Sequence, residues 1–373
     1  MIGFQISKES SLPLHVQLLD ELRHKILSGL LKPHDQLPGE WELVNSLNIS
    51  RATIQRAWQA AQDEGLIYRV TGKGTFVAEP IASDSTRNAV GFMIPEYRGT
   101  FAMALLGGAE RVMRKAGYSV QFASTDREIS EENRLLQELV DDDVSGIILV
   151  PVRGSLQGRN LASNKLGVPV VQMDRPLNGV VLPCVASNNY MGGLQAMEHL
   201  INLGHRRILF VARPHLDLWS VSERLRAYQD SLRRVGTDPL DPLLIGGEAE
   251  LSSYEAYLQQ NDDEIQPLLA CLQRQDRPTA IFAVNDWMAL KVYWAAELLG
   301  LRIPEDLSLV GFDDLDIAQY QKPPLTTVAQ NANLMGAEAA RRLLALIEGE
   351  EVAEILTLIP TKLVLRTSTM SLV

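Results

Sequence analysis

The chain holds 373 residues, 46% of them apolar and 22% charged, the composition of an ordinary globular protein with room for two or three cores. Its 35 Lys and Arg against 46 Asp and Glu leave a net charge of −11, at first sight an argument against nucleic acid as a partner. Cys184 and Cys271 are too few for a disulfide framework and have no spacing that suits a metal. They read as two buried small hydrophobes. The start, MIGFQISKESS, has no basic-then-apolar leader pattern, and apolar runs such as Ile147 to Val152 are too short for a bilayer. A cytoplasmic chain with no membrane partner is expected.

From Leu12 to Ser28, the residues Leu19, Leu22 and Ile26 fall on one face at helical spacing, and Gly29 and Pro33 end that helix. Pro38 precedes a short helix, Gly39 to Ser46. After a break at Leu47-Asn48-Ile49, Ser50 suits the N-cap of a third helix, Arg51 to Glu64. Ile54, Ala57, Trp58 and Ala61 recur at i, i+3, i+4 and i+7 and set its buried face, so Arg51, Ala52, Gln55, Arg56 and Gln59 must point outward. Gly65 ends it. Leu66 to Arg69 and Thr75 to Val77 then flank Thr71-Gly72-Lys73-Gly74 as a hairpin. Two helices joined by a tight turn, the second polar and basic outward, are what the major groove of DNA accepts, and a hairpin directly after them is a wing. Lys73 between two glycines lets amides and an ammonium approach a phosphate. Residues 1–80 hold eight Lys or Arg against nine Asp or Glu, so the acidic excess lies elsewhere.

Leu37-Pro38-Gly39-Glu40-Trp41-Glu42-Leu43, Ser50-Arg51-Ala52-Thr53-Ile54-Gln55-Arg56-Ala57, Glu64-Gly65-Leu66-Ile67 and Gly72-Lys73-Gly74-Thr75-Phe76-Val77 occur in that order. Together they resemble the DNA-binding domain of GntR-type bacterial regulators, from about Pro13 to Val77. That resemblance implies that Arg51 reads a base edge beside Thr53 and that Gly72 and Lys73 enter the minor groove. Trp41 and Gln55 depart from it, since the family usually has Arg at both positions. Gln pairs with adenine where Arg favours guanine, so the operator differs from the family's common one. Trp41 is either core or a ring flanking a phosphate.

Glu79 to Asn88 is polar with one Pro and reads as a linker, placing a DNA-binding domain at 1–78 and a second domain at 89–373. The second alternates apolar runs with amphipathic helices, as a parallel sheet with crossover helices does. Strands are expected at Ala89–Pro95, Tyr118–Ala123, Gly146–Pro151, Val168–Met173, Arg207–Ala212, Ala280–Val284 and Leu307–Gly311, with the first helix near Ala102 to Ala116. The fold class is therefore α/β, two doubly wound lobes behind the small helical domain. Ligands in such folds bind outside the carboxyl ends of the strands, which selects Asp174-Arg175, Asn285-Asp286, Asp313-Asp314 and Gln330. Carboxylates, amides and an Arg at one cleft offer paired hydrogen bonds to adjacent hydroxyls, and a ring such as Phe101 can stack on a sugar's C–H face. Each strand-end Asp or Asn also suits a simple helix cap.

The segments Pro169-Val170-Val171-Gln172-Met173-Asp174-Arg175-Pro176, Gly204-His205-Arg206-Arg207-Ile208, Ser220-Val221-Ser222-Glu223-Arg224, Asn285-Asp286-Trp287-Met288-Ala289-Leu290, Val310-Gly311-Phe312-Asp313-Asp314 and Pro323-Pro324-Leu325-Thr326-Thr327-Val328 resemble the effector domain of LacI-type repressors, which is akin to periplasmic sugar-binding proteins. The resemblance covers nearly all of 89–367 and implies that Asp174, Arg175, Arg224, Asn285, Asp313 and Gln330 bind effector. The Asp-Arg pair favours a small sugar over a purine. The family's own headpiece and hinge helix are absent.

His199 and His205 have no metal spacing, and Gly72-Lys73-Gly74-Thr75 is not a Walker loop. No GxSxG or HExxH motif occurs, so no catalytic nucleophile, metal or cofactor is expected. The sequence points to a dimeric transcriptional repressor, not an enzyme, whose grip on operator DNA is set by a small sugar held between two lobes. A purine or a sugar phosphate is the alternative effector. The rival classes are a sugar-binding transport component and an α/β enzyme carrying a DNA module.

Overall fold

The computed structural model describes residues 4, 6, 12–27, 30–63, 66–70, 72–78, 88–97, 99–152, 166–177, 179, 181–246 and 262–372. The chain divides into two units, Met1–Thr86 and Arg87–Val373. Apart from Asn88, the expected linker lies outside the described residues.

In the first unit, helices α1 (Leu14–Leu27), α2 (Glu40–Leu47) and α3 (Arg51–Asp63) precede the antiparallel hairpin β1 (Ile67–Val70) and β2 (Gly74–Val77). The apolar stripe of α3 behaves as its spacing requires. Ile54, Ala57, Trp58 and Ala61 are fully buried against Leu18 and Leu22 of α1, Leu43 of α2 and Val77 of the hairpin. Asn48, with φ of 52°, stops α2 in a left-handed conformation, and the Ser50 hydroxyl caps α3 by accepting from the Thr53 amide at 3.2 Å. Across this tight turn Arg51, Ala52, Gln55, Arg56 and Gln59 face outward as predicted. This is a winged helix-turn-helix.

The second unit has two six-stranded sheets. One runs β13 (Leu356–Ile359), β7 (Cys184–Ser187), β6 (Val170–Met173), β5 (Ile147–Leu149), β3 (Ala89–Ile94), β4 (Ser119–Ser124), all parallel. The other runs β14 (Lys362–Val364), β12 (Thr326–Ala329), β11 (Ser308–Asp313), β10 (Ala280–Ala283), β8 (Ile208–Ala212), β9 (Leu243–Leu244), with only β14 antiparallel. Every residue of β3 and β8 is buried, as expected for strands covered on both faces by helices. In the first sheet the strand order reverses at β3, and in the second at β8. Those reversals open crevices at the strands' carboxyl ends.

The two lobes are not consecutive in sequence. After α4 (Thr100–Lys115) and α5 (Ile129–Asp141), the chain leaves the first sheet at β7 and enters the second lobe through α6 (Asn189–Asn202). That lobe also holds α7 (Trp219–Arg234), α8 (Gln266–Leu272) and α9 (Asp286–Leu298). The chain then returns in α10 (Ala332–Ile347), whose Met335, Ala339 and Leu343 pack in the first lobe's core, and β13 and β14 divide between the sheets. Helices α4 and α10 touch backbone to backbone. A Cβ on Gly108 would lie 2.0 Å from the Asn333 carbonyl oxygen, and one on Gly336 would lie 1.9 Å from that of Leu105. Glycine is required at both points.

Cys184 is buried and Cys271 half-buried. His205 accepts or donates to the Thr279 and Ser308 hydroxyls at 2.9 and 3.0 Å, and His199 meets the Thr369 hydroxyl at 2.9 Å. Both histidines tie the C-terminal segment to the second lobe. Among the described residues no helix is long and apolar enough to cross a membrane, and no acidic or His/Cys cluster could hold a metal.

Candidate functional site

Two groups of residues follow from the fold. The first is the outward face of α3 and the wing. Glu40, at the start of α2, gathers it: its carboxylate accepts from Arg51 Nε at 2.9 Å, Gln55 Nε2 at 3.2 Å and Arg69 Nη2 at 3.1 Å. Burial raises the Glu40 pKa, but the bonds from Arg51 and Gln55 and the charges of Arg69 and Arg51 outweigh it, so the group sits below its ordinary value. Trp41 is 64% exposed, with the Arg51 guanidinium 5.5 Å from its ring centre. Of the two sequence readings of this residue, core is therefore excluded. Thr53 shares a hydrogen bond with the Ser50 hydroxyl at 2.8 Å. At the wing tip Gly72 and Gly74 have φ of 78° and 125°, and Lys73 is exposed between them.

The second group lines a cavity of about 470 Å³ at the strand ends of the second unit, within the range of small-molecule sites. Phe101, Asp174, Arg175, Arg224, Asn285, Asp313 and Gln330, drawn from both lobes, all line it. Arg224 is buried on α7. It donates to Asn189 Oδ1 at 2.9 Å and the Val284 carbonyl at 2.6 Å, lies 3.7 Å over the Phe312 ring and approaches Asp313 at 3.5 Å. Burial depresses its pKa, and the charges of Asp313, Asp174 and Asp286 oppose that. Gln330 donates to Asp313 at 2.6 Å, while its own carbonyl oxygen is buried with no hydrogen-bond partner among the described residues. Arg175 pairs with Asp174 at 3.1 Å.

Asn285 fills the capping role that the sequence allowed and is also a lining residue of the cavity. Its carbonyl caps α9 through the Met288 amide at 2.8 Å. Asp286, fully buried, accepts from the Thr327 hydroxyl at 2.6 Å and the Leu315 amide at 2.8 Å. A Cβ on Gly311 would sit 2.3 Å from its carboxylate. Burial, then Asp313, pushes this carboxyl well above its usual range, against the two hydrogen bonds. Asp286 thus braces the loop that presents Asp313. Asp174, Asp313 and Asp314 have φ of 70°, 111° and 54°, backbone states that cost energy in any residue but glycine and that collect at binding sites.

Further lining residues escaped the sequence reading. Glu96 follows β3, Arg127 follows β4, Arg213 and His215 follow β8, and Trp287 lies two positions beyond Asn285. Arg127 pairs with Glu96 at 3.7 Å and Arg213 with Glu264 at 3.3 Å. The strand-end rule that found Asp174 and Asp313 finds most of these when applied to every parallel strand.

The chain therefore joins a winged DNA reader to a two-lobed domain with a small-molecule cavity, the architecture of a ligand-responsive repressor. The pattern of bacterial regulatory proteins of the gntR family matches residues 14–77, and that of the periplasmic binding protein-like domain matches residues 197–369. The arabinose metabolism transcriptional repressor of Geobacillus stearothermophilus is 31% identical over 373 residues, covering 97% of this chain and 99% of that protein. Two solved structures are similar in fold. The transcriptional regulator CelR–cellobiose complex has a TM-score of 0.65 at 28% identity, covering 87% of this chain and 93% of its own. A LacI family transcriptional regulator from Enterococcus faecium with bound ribose has a TM-score of 0.63 at 27% identity, covering 76% and 100%. The chain belongs to the family of GntR-headed transcriptional repressors with a periplasmic-binding-protein-like domain. It is a regulator, not an enzyme.

Proposed function

We propose that this repressor binds a two-fold operator as a cytoplasmic homodimer and releases it when a small sugar enters the cavity. The reading takes residues 1–78 as the reader, 79–88 as the connector and 89–373 as the sensor. One observation carries it: one cavity brings together the seven side chains singled out in the sequence, drawn from both lobes, with Asp174 and Asp313 both held in costly backbone states. Paired carboxylates and guanidinium groups match the vicinal hydroxyls of a sugar, and Phe101 and Trp287 supply rings for its C–H face. Closing the lobes on a sugar changes how the two readers of a dimer are spaced. Such coupling is typically about 1–3 kcal/mol, or about 5- to 150-fold in operator affinity. Arg51, Thr53 and Gln55 would face base edges, with Gly72 and Lys73 at the wing.

The direct experiment is fluorescence anisotropy of the full chain on DNA from its own promoter. Binding that a pentose or hexose weakens is the expected result, and absence of binding at every salt concentration refutes the proposal. A thermal-shift panel of pentoses, hexoses, sugar phosphates and purines separates the effector classes, because a specific ligand raises the melting temperature by mass action.

A further inference from the structure

We propose that Trp41 reads thymine in the operator's major groove and thereby sets part of the sequence preference, an inference that rests on the DNA-binding reading of the first unit. Trp41 is the one large aromatic exposed among that unit's described residues. Its surroundings fix where it stands. Glu40, the preceding residue, is bonded to Arg51 and Gln55 on the outward face of α3 and to Arg69 on the first strand of the hairpin. The Arg51 guanidinium lies over the Trp41 ring. Trp41 therefore belongs to the same surface patch as the candidate base readers.

The chemistry of the indole selects the base. It offers one N–H donor beside a hydrocarbon edge and no acceptor. In the major groove thymine presents an acceptor, O4, next to the C5-methyl group. Cytosine presents a donor at the equivalent place, and guanine and adenine have no methyl. Thymine alone fits both halves of the indole.

The test selects operators for the full chain from a random DNA pool, then replaces each thymine in turn with deoxyuridine, which removes only the methyl group. The wild-type chain should lose about fourfold in affinity at one thymine per half-site, the value of burying a single methyl. Trp41→Ala should be indifferent to that replacement and should select pools without a thymine preference there. Trp41→Phe should keep the methyl effect and lose part of the preference for thymine over cytosine. Because the side chain is exposed, the thermal midpoint of each variant should match the wild type. Deoxyuridine that is neutral at every position overturns the inference, as does Trp41→Ala weakening all sequences equally, which would place the ring on the sugar–phosphate backbone. If the wild-type chain selects no sequence at all, the DNA-binding reading itself fails, a result distinct from either.

Discussion

Arg224→Ala separates effector sensing from DNA reading. The guanidinium is buried among Asn189, Val284, Phe312 and Asp313, and it is the side chain that reaches from α7 to the Asp313 carboxylate. A hydrogen bond from a charged donor to a ligand oxygen contributes about 1.5–3 kcal/mol, so its loss should weaken sugar binding by about 10- to 150-fold. Folding stability should fall as well. A fully buried pair broken on one side costs about 3–5 kcal/mol, but Asp313 keeps the Gln330 amide at 2.6 Å and lines an open cavity. A loss of about 1–3 kcal/mol is the better expectation, with the stranded carboxylate taking up water. Operator affinity without sugar should stay within about twofold of the wild type, because the reader's core is built entirely from residues between Phe4 and Val77. Calorimetric titration with the sugar found by the panel, urea unfolding and anisotropy on operator DNA measure the three quantities. A folded Arg224→Ala protein with unchanged sugar affinity, or one whose operator binding falls in step with its sugar binding, refutes the assignment of this side chain.

Three further outcomes follow from individual contacts. Glu40→Gln should tighten non-specific DNA binding and steepen its salt dependence by about 0.9 per phosphate gained, since Arg51 and Arg69 lose their shared carboxylate; an unchanged slope in filter binding across a salt series contradicts this. Gly336→Ala should destabilise the second unit by about 1–3 kcal/mol, because its Cβ would meet the Leu105 carbonyl at 1.9 Å and neither helix backbone can yield cheaply; denaturant midpoints equal to wild type would show that the helices slide apart freely. His205 has its pKa lowered by burial, partly offset by the Met370 carbonyl. A depressed folded pKa means the neutral ring is favoured, so its contribution is full above about 6.5 and declines as pH falls below that value. Stability measured from pH 7.5 down to 5 should fall less steeply in His205→Asn than in the wild type, and identical slopes count against the buried neutral histidine.

The parts of the structure that local pattern controls were legible in the sequence. The α3 stripe at Ile54, Ala57, Trp58 and Ala61 is fully buried, and the Ser50 cap and the glycine-flanked wing stand where propensity puts them. The strands that reverse the sheet order were legible too, because continuous apolar runs such as Ala89 to Ile94 have no solvent face to disguise them. The strands at the sheet margins were not. Leu356 to Ile359 alternates exposed and covered positions over four residues, and nothing in so short a run says which sheet it joins. For the same reason the return of α10 to the first lobe was invisible, since its apolar face would suit either core. Asp174 and Asp313 could be picked out by position, but their left-handed backbone depends on neighbours distant in sequence, such as the bond from the Leu315 amide to Asp286. The convergence of Arg51, Gln55 and Arg69 on Glu40 needs the crossing of α2 over α3 and the return of the hairpin, and no spacing rule contains it.

The net charge illustrates the same division. Residues 1–80 carry eight basic side chains against nine acidic ones, so nearly all of the chain's −11 belongs to the rest. Within the first unit the basic residues are further occupied: Arg23 pairs with Asp20, Lys25 with Glu21, and Arg51 and Arg69 with Glu40. Lys32, Arg56 and Lys73 remain exposed without an ion-paired carboxylate among the described residues. A reader this sparsely charged should release few counterions when it meets DNA, so its non-specific affinity should be low and discrimination should lean on base contacts. That arrangement suits a switch. With little bulk attraction to overcome, a coupling near the upper end of the usual range, about 3 kcal/mol, takes an operator from about nine-tenths to about one-tenth occupied.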